Sequence, residues 1–139
     1  MANGLFASYR NVVLTTGVNT NTLTINAMFI DNADDTAVLA TDDFVDDILA
    51  AAQVPAEASC PALASKTQGV VATGVFDAAD TVFTSLSGDQ SEQLIIYEDS
   101  GTGSTSDLIA MWDTATGIPL TPNGGNVTIV WSASGIFTF

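Results

Sequence analysis

Histidine is absent from the 139 residues. That removes the commonest general base, the side chain that changes charge near neutral pH, and the commonest metal ligand. No Ser–His–Asp set can be assembled, so the many serines have no partner base. Basic residues are nearly as scarce. Arg10 and Lys66 stand against 16 Asp and Glu, for a formal charge of -14. Phosphate backbones and anionic membrane surfaces are bound by Lys and Arg, so neither nucleic acid nor membrane is an expected partner. Cys60 is the single cysteine. It can form no intrachain disulfide and founds no cysteine metal framework. Long apolar runs are missing too. The stretch "LAAAQVPAEASCPALA" is broken by Pro55 and Pro61 and carries Glu57. The opening "MANGLFASYRNVVLTTG" has no basic region followed by an apolar run of signal-peptide length. The expectation is a product made and used in soluble form.

What is present suits one β-rich domain over residues 1–139. Hydrophobic residues make up 47% of the chain, enough to build a core without metals or disulfides. Leu5, Tyr9, Val12 and Val13 fall near helical spacing, with Asn3 placed to cap the start and Gly17 the end. "LTINAMFI" alternates as a strand with one buried and one partly buried face. In "TDDFVDDILAA", Thr41 is a natural N-cap. Asp42 and Asp43 suit a first turn, and Phe44, Val45, Ile48 and Leu49 make an apolar stripe, which predicts a short helix or helical turn. "QVPAEASCPALASKTQG" reads as a loop.

From Gly69 on, short Val/Ile/Phe/Thr runs alternate with turn signals: "GVVATGVFD", "ADTVFTSLS", "QLIIYED", "DLIAMWD", "NVTIVW" and "IFTF". "SGTGSTS" is a polar turn, and Pro119 and Pro122 restrict residues 118–122 to an edge piece. The pattern predicts a mainly β fold, an antiparallel β-sandwich or small β-sheet domain with one or two short helices in the N-terminal third.

Carboxylates are the only candidates for acid–base or metal chemistry. Asp31, Asp34 and Asp35 cluster after a strand but lack the order of an EF-hand loop, so a solvated turn is the simpler reading. Asp77 and Asp80 flank "DAAD" and suit turn fixing through backbone N–H groups. A carboxylate dyad needs two acids across a cleft, and the sequence singles out no pair. "SGTGSTS" has no Lys and is no phosphate loop. Catalytic residues, metal ligands and cofactors are therefore not expected. Trp112 and Trp131 lie in strand-like runs and are expected as core or interface anchors. Phe137 and Phe139 share one side of a terminal strand. With Val127, Ile129 and Trp131 one short turn away, "IFTF" is expected to pair with that run and to sit in the core or under a neighbouring subunit.

The run from "GVFDAAD" through "QLIIYED" and "LIAMWDTATGIPLTPNGG" to "VTIVW" resembles a family of small virion proteins of tailed bacteriophages. Members carry a "GVFDAAD"-like turn, an "ALVIYKD"-like strand (here residues 94–99), a "LIAYxDTATGLPVTPNGG" passage (here 108–125) and a closing "ITIxW" strand (here 127–131). "INAMFID" and the segment from Leu39 match the same family. Where relatives often have basic residues and a His, this chain has Asp42 and Asp43. The resemblance implies a non-enzymatic virion part. The favoured expectation is a capsid decoration, or cement, protein on the head. A tail, neck or baseplate component is the alternative, and a carbohydrate-binding β-sandwich ranks third. The implied partners are the major capsid protein or other virion proteins. A homo-oligomer on a particle assembled in the host cytoplasm is implied as well.

Overall fold

The computed structural model describes residues 3–69 and 72–139. Val70 and Val71, part of the expected run after Gly69, lie outside the described residues. The elements are β1 (Gly4–Leu5), α1 (Ala7–Thr16), β2 (Ile25–Ile30), β3 (Gln53–Val54), β4 (Thr67–Gln68) and β5 (Val75–Asp77). They continue with β6 (Thr81–Phe83), β7 (Gln93–Glu98), β8 (Leu108–Trp112), β9 (Val127–Ile129) and β10 (Phe137–Thr138). The fold is mainly β, with 29% strand, 16% helix and antiparallel sheets, as the sequence predicts.

Five strands form the central sheet in the order β1-β8-β7-β2-β3. Its longest rung set joins β2 to β7, from Ile25↔Glu98 to Ile30↔Gln93. All six β2 residues are buried, so the strand is covered on both faces rather than one and a half. One face carries Phe29, Leu94 and Trp112 in register. The β6–β9 ribbon covers it, with Phe29 and Phe83 ring centroids 4.9 Å apart. The other face receives the loop region from Asp31 to Lys66. Gln93 accepts from the Ala37 amide at 2.9 Å and donates to its carbonyl at 3.1 Å, a two-bond clamp that spares a buried amide its desolvation cost. The Leu63 amide donates to Ile25 O and the Ala27 amide to Pro61 O, so this loop also seals the side of β2 that β3 leaves open.

α1 ends on Gly17 at φ 67°, a left-handed cap that glycine adopts without strain. Its start differs from expectation. Phe6 occupies the N-cap, and Asn3 instead ties the chain to the end of β8, accepting from the Asp113 and Thr114 amides at 2.9 and 3.1 Å. Of the short helix or helical turn expected over residues 41–49, only the turn forms. Residues 45–47 make a single 3₁₀ turn, and Thr41 donates to Asp42 rather than capping anything. Asp47 takes the capping role, accepting from the Asp43 and Phe44 amides at 2.8 and 3.2 Å. Only Val45 and Ile48 of the expected stripe are buried, while Leu49 is exposed. The expected loop after it holds β3, β4 and a 3₁₀ turn at Glu57–Ser59.

The terminal strand also pairs elsewhere. β10 lies on β5, with Phe137↔Phe76 and Thr138↔Val75, in a three-stranded sheet ordered β10-β5-β4. β9 pairs with β6, not with β10. The "SASG" turn therefore carries the chain from one small sheet to another instead of closing a hairpin. Gly135, at φ 101°, makes this possible, because a Cβ there would overlap the Val75 side chain.

Candidate functional site

The four aromatics singled out in the sequence converge. Trp112 at the end of β8 and Trp131 just past β9 are half-buried, with ring centroids 5.7 Å apart. Trp131 is held at both ends: its amide donates to Asp80 and its indole Nε1 to Thr81 Oγ1, each at 3.1 Å. Asp80 thus fixes a distant strand end, whereas Asp77 fixes its own turn by accepting from the Ala78 amide. Phe137 stacks on Phe76 at 5.0 Å and meets Phe139 edge-on at 5.2 Å, and Phe139 approaches Tyr9 at 6.2 Å. Phe139 keeps 46% of its surface exposed.

Two apolar grooves flank these rings and share Trp112 and Ile136. One, of about 540 Å³, lies between α1 and β10 and includes Leu5, Val13, Leu14 and Phe139. The other, of about 620 Å³, lies between β8 and β9 and includes Ile118, Leu120, Val130 and Trp131. None of the 16 carboxylates lines either groove, and Arg10 is the one charged residue in them. Asp113, next to Trp112 in the chain, accepts from Thr114 Oγ1, and Asp80 accepts from the Trp131 amide. Leu14 and Val130 are 85% and 74% exposed. Sequence reading found the aromatics but missed Leu14, whose exposure follows from its place on the outer side of α1.

The acidic loop is rearranged relative to expectation. Asp31 and Asp34 are joined by Asp89, not by Asp35, with one oxygen from each within 4.8 Å of the others. Asp35 turns away and accepts from the Thr36 and Leu49 amides at 2.8 Å each. Three carboxylates thus meet there, without the backbone and amide carbonyls that fill out the six to eight oxygens calcium prefers in a complete loop. Asp89 lies far off in sequence, and only the pairing of β2 with β7 brings it near.

Two further polar clusters lie beneath the sheet ends. Burial pushes the Cys60 thiol up to about 12, and its Sγ lies 3.5 Å from Pro55 O. Tyr97 beside it donates to Glu57 O at 3.3 Å, and burial raises its phenol as well. A thiol held protonated is no nucleophile at neutral pH. Tyr9 is fully buried, and its hydroxyl has no hydrogen-bond partner among the described residues. Burial raises its phenol, helped by the Glu98 and Asp107 charges. Those two carboxyls are raised in turn, Glu98 by burial and then by Asp107, and Asp107 by burial. No described helix is long and apolar enough to cross a membrane. A scan against protein-family models and a search of curated proteins each gave no match.

Proposed function

We propose that this chain is a structural component of a tailed-bacteriophage virion, acting as a capsid decoration (cement) protein that docks on the assembled head. Its partner is the major capsid protein, and its work is binding rather than catalysis. The observation that carries the reading is the apolar surface around Trp112 and Ile136, lined by no Asp or Glu side chain, on a body of charge -14. A shell-binding protein must stay dispersed at high copy number and then dock. Net charge serves the first need and a confined apolar surface the second. The ordered motifs shared with small virion proteins supply the setting. Cryo-EM or immunogold labelling of the particle that carries this chain is the test. Density on the head lattice supports the cement role. Density at the tail, neck or baseplate replaces it with the alternative, and absence from the particle removes both.

The Trp112–Trp131 pair beside Thr116, Thr128 and Ser132 gives the carbohydrate-binding reading one specific support. Against it, the rings meet at 53° and Trp131 already donates its indole N–H to Thr81, so no flat sugar platform is presented. A glycan array decides it.

A further inference from the structure

We infer that Tyr9, Glu98 and Asp107 form a binding site for a hard divalent cation of the calcium type, which ties α1 to the base of the β7–β8 hairpin. None of the three lines either groove, and the site does not depend on the virion reading. The register brings them together. Ile25↔Glu98, Ala27↔Ile96 and Phe29↔Leu94 are rungs of β2 on β7, and Ile96↔Ala110 and Leu94↔Trp112 carry them on to β8. Directly opposed residues project to one face, so Glu98 shares a face with Ala110 and Trp112. Those two line a groove with Arg10, Val13 and Leu14, so this is the face that α1 covers. The ladder shifts after Ile96 to pair Tyr97 with Leu108, and the Glu98 amide then donates to Asp107 O at 2.9 Å. Asp107 is thereby set opposite Glu98, and Tyr9 reaches the same face from α1.

The chemistry of the three calls for a cation. Tyr9 is fully buried and its hydroxyl has no hydrogen-bond partner among the described residues, which is costly. The charges that bear on that hydroxyl are those of Glu98 and Asp107. Both carboxyls are half-buried, and both are raised above the ordinary carboxylate range. Neither Arg10 nor Lys66 pairs with them among the described residues. Two like charges therefore face each other with no counter-ion from the chain. One cation answers all three groups. The carboxylate oxygens ligate it, and the protonated phenol offers it a lone pair while keeping a proton to donate to a carboxylate. An all-oxygen donor set suits a hard ion, and two carboxylates balance a divalent charge. The Asp31, Asp34 and Asp89 trio has no buried, unpaired group of this kind, and two of its members are exposed. Three protein ligands leave the other positions to water, so the expected Kd is about 10⁻⁴–10⁻³ M, weak enough for the ion to leave on purification.

Isothermal titration of Ca²⁺ into the metal-free full chain tests the site, in about 0.15 M NaCl to screen diffuse attraction to the acidic surface. Asp34→Asn with Asp89→Asn is the background, which removes the exposed trio as a competitor. One ion per chain is expected, with a Tm that rises as Ca²⁺ is added. Glu98→Gln and Asp107→Asn are each expected to weaken binding at least ~tenfold. Tyr9→Phe is expected to weaken it about fivefold while the metal-free Tm holds or rises, because the hydroxyl it removes is paired with no protein group. Circular dichroism melts check that each variant folds, and Glu98→Ser or Asp107→Ser replaces one that does not. No binding at about 5 mM Ca²⁺ overturns the inference. So does binding that survives Glu98→Gln combined with Asp107→Asn, or that Tyr9→Phe leaves at the background affinity.

Discussion

Replacing Phe137 by Ala tests whether β10 is docked through its rings. Truncating a fully buried Phe costs about 3–5 kcal/mol. Phe137 is only half-buried, so about half of that is expected, near 2 kcal/mol. Its stacking on Phe76 at 5.0 Å and edge contact with Phe139 at 5.2 Å account for about 1 kcal/mol of this. Unfolding entropy near 2.1 cal/mol/K per residue gives the 139-residue chain about 0.3 kcal/mol/K, so Tm falls by about 7 °C. Phe137→Leu keeps most of the apolar area but loses both ring contacts, and its Tm falls by about 3 °C. The assay is a thermal melt followed by circular dichroism. A Phe137→Ala melt within about 2 °C of the parent refutes the reasoning, because it means the strand carries little of the sheet it joins.

Five further outcomes are expected. Gly135→Ala forces a Cβ into the Val75 side chain at φ 101°, and overpacking plus backbone strain costs about 2–4 kcal/mol, read as a Tm loss near 10 °C. Glu98 and Asp107 have raised carboxyl pKa values, so the folded state holds protons that the unfolded chain releases. Their stabilisation is therefore present at mildly acid pH and lost as pH rises through the raised values, and Glu98→Gln with Asp107→Asn flattens that slope in a pH series of denaturant melts. Asp47 has the opposite sign: its backbone N–H donors lower its pKa, and its contribution is lost as pH falls through that lowered value. Chelation with EDTA is expected to move Tm by less than about 4 °C, since the Asp31, Asp34 and Asp89 trio is too small a ligand set to anchor the fold; a drop beyond about 10 °C overturns this. With its pKa pushed up to about 12, the Cys60 thiol should react with Ellman's reagent at pH near 8 at least ~100-fold slower folded than in urea, and equal rates contradict its burial.

Strands rich in β-branched and aromatic residues were legible because that composition, bounded by turn residues, marks a strand even where both faces are buried. β2, β7, β8 and β9 fall inside the runs read as strands. Partner choice left no such mark. The "IFTF" run and its aromatic side were readable, but that β10 joins β5 rather than β9 depends on Gly135 and the space beside Val75. The segment stopped at a single turn for a physical reason. Residues 41–49 offer only about two helical turns, too short to form without a docking face, and the loop found other partners for its amides. At the candidate site, Trp112, Trp131, Phe137 and Phe139 announced themselves by size and position. Leu14 and the exclusion of acids from both grooves did not, because each is a property of assembled surface.

The acids show most clearly what composition conceals. Read as a total, -14 looks like a solvating coat. In the fold, Asp31 accepts from the Ala33 amide, Asp35 from Thr36 and Leu49, Asp42 from Val38, Asp47 from Asp43 and Phe44, Asp80 from Trp131, Glu92 from Asn32 and Asp99 from Gly101. A chain with 29% strand and 16% helix leaves much of its backbone without a ladder or helix to pair with. Those amides need acceptors close by, and a short carboxylate reaches them with a charge-assisted bond. The acids therefore stand where the chain turns, and no Asp or Glu side chain lines either groove. It also follows that Asp35→Asn, which keeps an acceptor but removes the charge, should disturb the 31–49 loop far less than Asp35→Ala. Hydrogen exchange at the Leu49 amide reads the difference, and equal acceleration in both variants means that charge rather than the bond itself holds the loop.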